Sequence, residues 1–251
     1  MRSTHTSLGL LAALVVSVGA CSRDAQTEDA VQTKTSGGDA STSISGDAAD
    51  ARGQALVRIV NTVPDMNGLI VRSDDAHMLP SVDYKQVSDY QAIDNNWVTF
   101  EVGAAATGAY APVEANRELL TDGHRYTMIV MRKDDGVGYQ SRIVRDEISD
   151  DRTKAHLRVI HAAPNVDEIT VVAKGADELF NGINFTSEAG FKDIDPWSGT
   201  LEFRTEDGKR LLGSMSSVSL RPGVSYTIVL TNGKANKLES FWFEDQQVAG
   251  N

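Results

Sequence analysis

Cysteine is almost absent: Cys21 is the single one in 251 residues, which rules out an intramolecular disulfide and any cysteine-based zinc cluster. Positive charge is scarce as well, 24 Lys and Arg against 35 Asp and Glu, for a formal charge of -11. Phosphate neutralisation needs clustered cations, so this balance argues against a nucleic-acid partner. Long apolar runs are missing beyond Leu8–Ala20, whose 13 residues would span only about 20 Å as a helix, short of a bilayer core near 30 Å. With 41% hydrophobic and 24% charged residues, a multi-span membrane protein is excluded. Catalytic signatures are missing too. No His-Glu-x-x-His occurs, and Gly213-Ser214-Met215-Ser216-Ser217 is not a Gly-x-Ser-x-Gly elbow.

What is present begins with an address. Arg2 and His5 precede the apolar run, and small residues lead to Val18-Gly19-Ala20-Cys21. This pattern reads as a secretory signal peptide over residues 1–20. Its end resembles the lipobox of bacterial lipoproteins, which implies cleavage before Cys21 and acylation of that residue. Several acyl chains hold a protein stably on a membrane, where one binds only marginally. Ser22, not Asp, follows the cysteine, and the resemblance to lipoprotein sorting patterns then implies an outer-membrane lipoprotein, on the surface or the periplasmic face. Residues 21–54 contain no aromatic residue and only Val31 and Ile44 as large aliphatics, too little to offset chain entropy. That segment is expected to be a disordered tether with a reach of roughly 30 Å.

The remainder repeats. Ala55-Leu-Val-Arg-Ile-Val-Asn-Thr-Val-Pro64 aligns with Ala155-His-Leu-Arg-Val-Ile-His-Ala-Ala-Pro164 at an offset of 100. Thr99–Val102 aligns with Thr200–Phe203 at 101, and Tyr126–Val130 with Tyr226–Leu230 at 100. Matched blocks in one order predict tandem domains, 55–150 and 151–251. Short β-branched runs, alternating faces and the turn pairs Asp122-Gly123 and Pro222-Gly223 predict strands throughout, without a helix. The expected fold is all-β: two tandem antiparallel, immunoglobulin-like β-sandwiches.

Ala155–Gly175 resembles the opening of the bacterial family called domain of unknown function 4397, through Arg158, Val159, Ile160, His161, Ala162 and Pro164, then Ile169 and Val171–Gly175. Gly190-Phe191, the Leu220–Gly223 turn and Tyr226–Leu230 extend the resemblance over most of the second repeat and, more weakly, the first. It implies a β-sandwich in exported, lipid-anchored proteins, and no activity. Thr170 and Ile70 stand where the family has Asp, so no role for that carboxylate carries over.

Four residue groups are candidates for chemistry. Trp97 and Trp197 each precede a matched strand, beside turn residues, and an aromatic ring projecting there suits stacking on a sugar or capping a partner; the bland alternative is that each folds over its sandwich end. Trp242 reads as core or as a sticky edge. Asp146, Glu147, Asp150 and Asp151 form a weak calcium candidate at the repeat junction, against the alternative of a solvated acidic connector. His161, matched by Asn61, reads as a strand-end side chain bonding the backbone, and no transition-metal site or cofactor is expected. The functional expectation is a non-catalytic, lipid-anchored envelope protein that binds a polysaccharide or an envelope protein. The alternative is a hydrolase of envelope polymers that works through paired carboxylates.

Overall fold

A computed structural model of the chain describes residues 53–73, 79–94, 97–104, 116–146, 149–233 and 236–245. The signal peptide, Cys21, all of the tether but Gly53 and Gln54, His77, Asp74-Asp75 and Glu147 lie outside the described residues.

The first repeat contributes β1 (Gln54–Asn61), β2 (Leu69–Ser73), β3 (Gln91–Asp94), β4 (Trp97–Ala104), β5 (Asn116–Leu119), β6 (Arg125–Arg132) and β7 (Tyr139–Arg145). The second contributes β8 (Ala155–Ala162), β9 (Ile169–Ala173), β10 (Glu178–Ile183), β11 (Glu188–Ile194), β12 (Trp197–Thr205), β13 (Leu211–Leu220), β14 (Ser225–Asn232) and β15 (Leu238–Asp245). No helix longer than a single turn occurs among the described residues. Each repeat is a sandwich. Sheet β3-β1-β6-β7 faces β2-β4-β5, and sheet β11-β8-β14-β15 faces β10-β9-β12-β13. Alternation builds the cores: Val57, Ile59, Phe100, Val102, Met128 and Val130 fill the first, and Leu157, Val159, Leu201, Phe203, Ile228 and Leu230 the second.

The pairing is antiparallel except at two ladders. β1 runs parallel to β6, and β8 parallel to β14. A parallel neighbour cannot be reached by a hairpin, so the chain between the two strands crosses over to strands of the opposing sheet, returning once to add the edge strand β3 or β11. Both repeats close this crossover alike. Gly123 and Gly223 take φ values of +70° and +72°, the conformation their turns require. The hydroxyl of Tyr126 accepts a hydrogen bond from the Thr121 amide at 3.0 Å, and that of Tyr226 from the Arg221 amide at 3.0 Å. This is the tyrosine corner of immunoglobulin-like sandwiches, present twice.

The two sandwiches are not beads on a string. All eight residues of β8 and all eight of β14 are buried, because their sheet is covered on both faces. Val60, Ile129, Met131 and Val144 of the first repeat pack against Ile160, Ala162 and Val229 of the second, as a third apolar layer. Sheets β3-β1-β6-β7 and β11-β8-β14-β15 thus meet back to back.

Candidate functional site

Beside that third layer lies a polar cluster that the chain assembles from both repeats. Arg58 on β1 donates Nε to the Thr127 hydroxyl at 2.9 Å and Nη2 to Asp245 of the other repeat. Arg158 on β8 donates Nε to the Thr227 hydroxyl at 2.7 Å and Nη2 to Asp146 of the first repeat. Thr127 in turn donates to Asp146, and Thr227 to Asp245 at 2.7 Å. All four charged side chains are at most 3% exposed. Burial opposes the charge on Arg58, but Asp245, Tyr90 and Asp146 outweigh it, and its pKa is held above the ordinary value. The Tyr90 ring, 4.7 Å from the guanidinium, donates its hydroxyl to Asp146 at 2.7 Å, and burial together with that carboxylate raises its pKa. Phe243 covers the other face of Arg58 at 4.6 Å, while Phe191 lies over Arg158 at 4.6 Å. Each arginine therefore reaches across to the carboxylate of the opposite repeat. Any slippage between the sheets would strand a buried charge, so the cluster specifies how the repeats dock.

Asp146, read as part of a calcium candidate, belongs to this lock. Its side chain is fully buried on Arg158 and Thr127, while Asp150 and Asp151 are exposed and Asp151 is engaged by the Thr153 amide and hydroxyl. Among the described residues no group of His, Cys, Asp and Glu is placed to hold a metal ion. Asp146 is set apart from Asp150 and Asp151 because its ion-pair partner sits on a strand of the other repeat, which sequence spacing does not reveal.

The two tryptophans take different faces. Each begins a strand, β4 or β12, not a preceding turn. Trp97 pairs across the ladder with Leu119, and the two are 55% and 54% exposed. Trp197 pairs with Leu220, which is 3% exposed, and packs against the second core over Gly199, where an added Cβ would collide with its ring. The one-residue drift between repeats explains this. At the offset of 101 that aligns Phe100 with Leu201, Trp97 corresponds to Ser198, and a shift of one residue turns a side chain to the other face. The counterpart of the Trp97–Leu119 pair is Ser198–Ser219, whose hydroxyls lie 3.2 Å apart. An outward apolar pair thus exists on one repeat only, on the same sheet as the Arg72–Glu101 ion pair. Trp242, on edge strand β15, is 38% exposed and tilts against Tyr226 with ring centroids 5.4 Å apart, a partly covered edge residue.

His161 donates Nε2 to the Val166 and Asp167 carbonyls at 3.2 Å, and its Nδ1 accepts from the Ala163 amide at 3.2 Å. Burial lowers its pKa. Asn61 reproduces the pattern: its amide donates to the carbonyls of Met66 and Val82, and its oxygen accepts from the Val63 amide at 2.9 Å.

A Ser–His–Asp row does exist. Asp193, His156 and Ser225 stand directly opposite one another across β11, β8 and β14. It is not arranged as a catalytic triad. His156 Nδ1 meets Asp193 at 2.5 Å and Nε2 meets the Asp151 carbonyl at 2.9 Å, so neither nitrogen is open to accept a serine proton. The Ser225 hydroxyl is fully buried and has no hydrogen-bond partner. Paired carboxylates are met in a cleft of about 620 Å³ at one end of the second repeat, lined by Asp167, Glu168, Glu206 and Asp207. Asp207 is held down to about 2 by the Thr205 hydroxyl and the Lys209 amide. A general acid needs the opposite displacement.

Fold and site together define a tandem β-sandwich protein whose two halves are locked through a crossed arginine–aspartate cluster. The profile of the family described as domain of unknown function, DUF4397, matches residues 55–172 and again 155–251, and the chain belongs to that family. No curated protein matches it. Among solved structures, the C-terminal domain of AlgF from P. aeruginosa is 22% identical, covering 37% of this chain and 99% of that one, with a TM-score of 0.30. The Bacillus anthracis TIE protein is 13% identical over 72% of this chain and 34% of its own, with a TM-score of 0.23. A proposed cell adhesion protein from Bacteroides uniformis is 12% identical over 77% of this chain and 98% of its own, with a TM-score of 0.24.

Proposed function

We propose that this chain is a non-catalytic binding module of a bacterial cell envelope, held at the outer membrane by acylation of Cys21 and engaging a polysaccharide or an envelope protein. The observation that carries the reading is the exposed Trp97–Leu119 pair on the outer sheet of the first repeat. Large exposed aromatic and aliphatic side chains placed side by side supply contact area at low entropic cost. The buried lock supports the same reading, since it holds the surface on a stiff frame without contributing an acid, a base or a nucleophile. Because Trp197 packs inward, the binding face belongs to one repeat, and the duplication serves rigidity in place of avidity.

The test uses the full chain in cells. Cys21→Ser should move the protein from the membrane fraction to the soluble fraction. Replacing Trp97 and Leu119 together by Ser, the pair found in the other repeat, should leave the melting temperature unchanged and weaken retention on isolated envelope material. Unchanged retention overturns the assignment of this face.

A further inference from the structure

The two halves of the lock agree wherever they hold the fold together: Arg58 with Arg158, Thr127 with Thr227, Asp146 with Asp245. They disagree around one arginine. Arg58 is enclosed between Tyr90 and Phe243. Arg158 has Phe191 on one side, and the position matching Phe243 is Val144: each stands opposite the threonine of its own lock, Thr227 or Thr127. Edge strand β11 differs from its counterpart in the same neighbourhood. Glu188 pairs with Ile160 where Val87 pairs with Val60, and Asp193 pairs with His156 where Ala92 pairs with Leu56. Gly190 falls where the first repeat has Asp89. Val144 and Gly190 are smaller than their counterparts, Glu188 and Asp193 are more polar than theirs, and an open cleft of about 710 Å³ lies here at the repeat junction, walled by Arg145, Arg158, Phe191, Glu188, Asp193 and Ser149.

We propose that this cleft is a saccharide-binding site, built where the internal symmetry breaks. The Phe191 ring beside the exposed Arg145 guanidinium and the Glu188 and Asp193 carboxylates matches a sugar, whose ring carries apolar C–H groups and whose hydroxyls both donate and accept, while Arg158 stays in the lock and fixes the ring from behind. The lining carries both signs, Arg145 and Arg158 with Glu188 and Asp193, which suits an uncharged sugar better than a polyanion. Clefts between packed domains are a common place for such sites. Gly190 fits the role of floor, because an added Cβ there meets no atom within 4 Å and its φ is ordinary. Its side of the cleft is open by sequence, not by strain.

The inference rests on the reading of the chain as a binding module, but not on the Trp97 face. Cellohexaose and chitohexaose are titrated into the native full chain, into Gly190→Trp, and into the Trp97→Ser/Leu119→Ser double variant, with binding followed by calorimetry. Gly190→Trp fills the cleft from a position with room for a side chain, so its melting temperature should match that of the native protein. The expected result is binding that weakens about ten-fold or more in Gly190→Trp and survives in the double variant. Loss in the double variant alone overturns the cleft and leaves the binding-module reading standing. Binding of neither sugar to the native chain overturns the cleft as well, while retention on envelope material tests the broader reading separately.

Discussion

At residue 61 and residue 161 two different side chains solve one problem. Each closes the end of a strand by accepting one backbone amide and donating to two carbonyls. The amide does so at any pH, whereas the imidazole does so only while neutral. Burial holds the folded pKa of His161 below its unfolded value near 6.5. A depressed histidine pKa contributes stability that is fully present above the unfolded pKa and is lost as pH falls through it toward the folded pKa. Denaturant melts below about pH 6.5 should therefore show a stability loss in the native protein that His161→Asn, borrowing the residue of the first repeat, reduces. An acid profile identical in the two proteins would contradict this. The backbone-bonding role was readable in the sequence, since His161 and Asn61 share one position before a proline. Arg58 and Arg158 also recur there, as a cation in the middle of an apolar strand, but a lone charge in a strand gives no sign of which remote carboxylate it meets.

Elements show where periodicity informs and where it misleads. The strongest strands, β1, β4, β6 and their repeats, appear in the sequence because alternating apolar residues fill a core. Edge strands such as β3, β7 and β11 carry weak patterns, since one side of each lacks a neighbour and the apolar requirement relaxes. The tryptophans were legible as residues but not as faces. The single-residue drift between repeats decides that Trp97 turns outward and Trp197 inward, and only the ladder pairing with Leu119 or Leu220 reveals it. The tyrosine corners belong to this scale as well. Tyr226→Phe deletes the acceptor of the Arg221 amide and should cost about 1–3 kcal/mol in an equilibrium urea melt, with Tyr126→Phe similar. A loss near zero in both would show that water replaces the hydroxyl and that the corner does not brace the crossover.

For the whole molecule, the crossed lock makes two sandwiches one body. Asp245→Ala leaves Arg58 buried beside a more distant Asp146, 3.8 Å away, and should cost about 3–5 kcal/mol, splitting a single unfolding transition into two. The joint change Arg58→Met with Asp245→Leu should recover most of that loss, because an apolar pair needs no charge compensation at the same burial. If Asp245→Ala melts like the native protein, the docking rests on the apolar layer of Val60, Ile129 and Val229 alone. A second cross-repeat contact, Lys85 with Glu239, sits at the rim, where water screens it. By itself the sequence determined the all-β class, the duplication and its two units, because strand periodicity and repeat offsets are local properties of the chain. Only the tertiary structure decided that the units fuse back to back, that Asp146 is the buried counter-ion of an arginine on the other repeat, and that one tryptophan is offered to solvent. Those outcomes depend on which residues far apart in sequence become neighbours, and burial, not spacing, sets what a charge or a ring can do there.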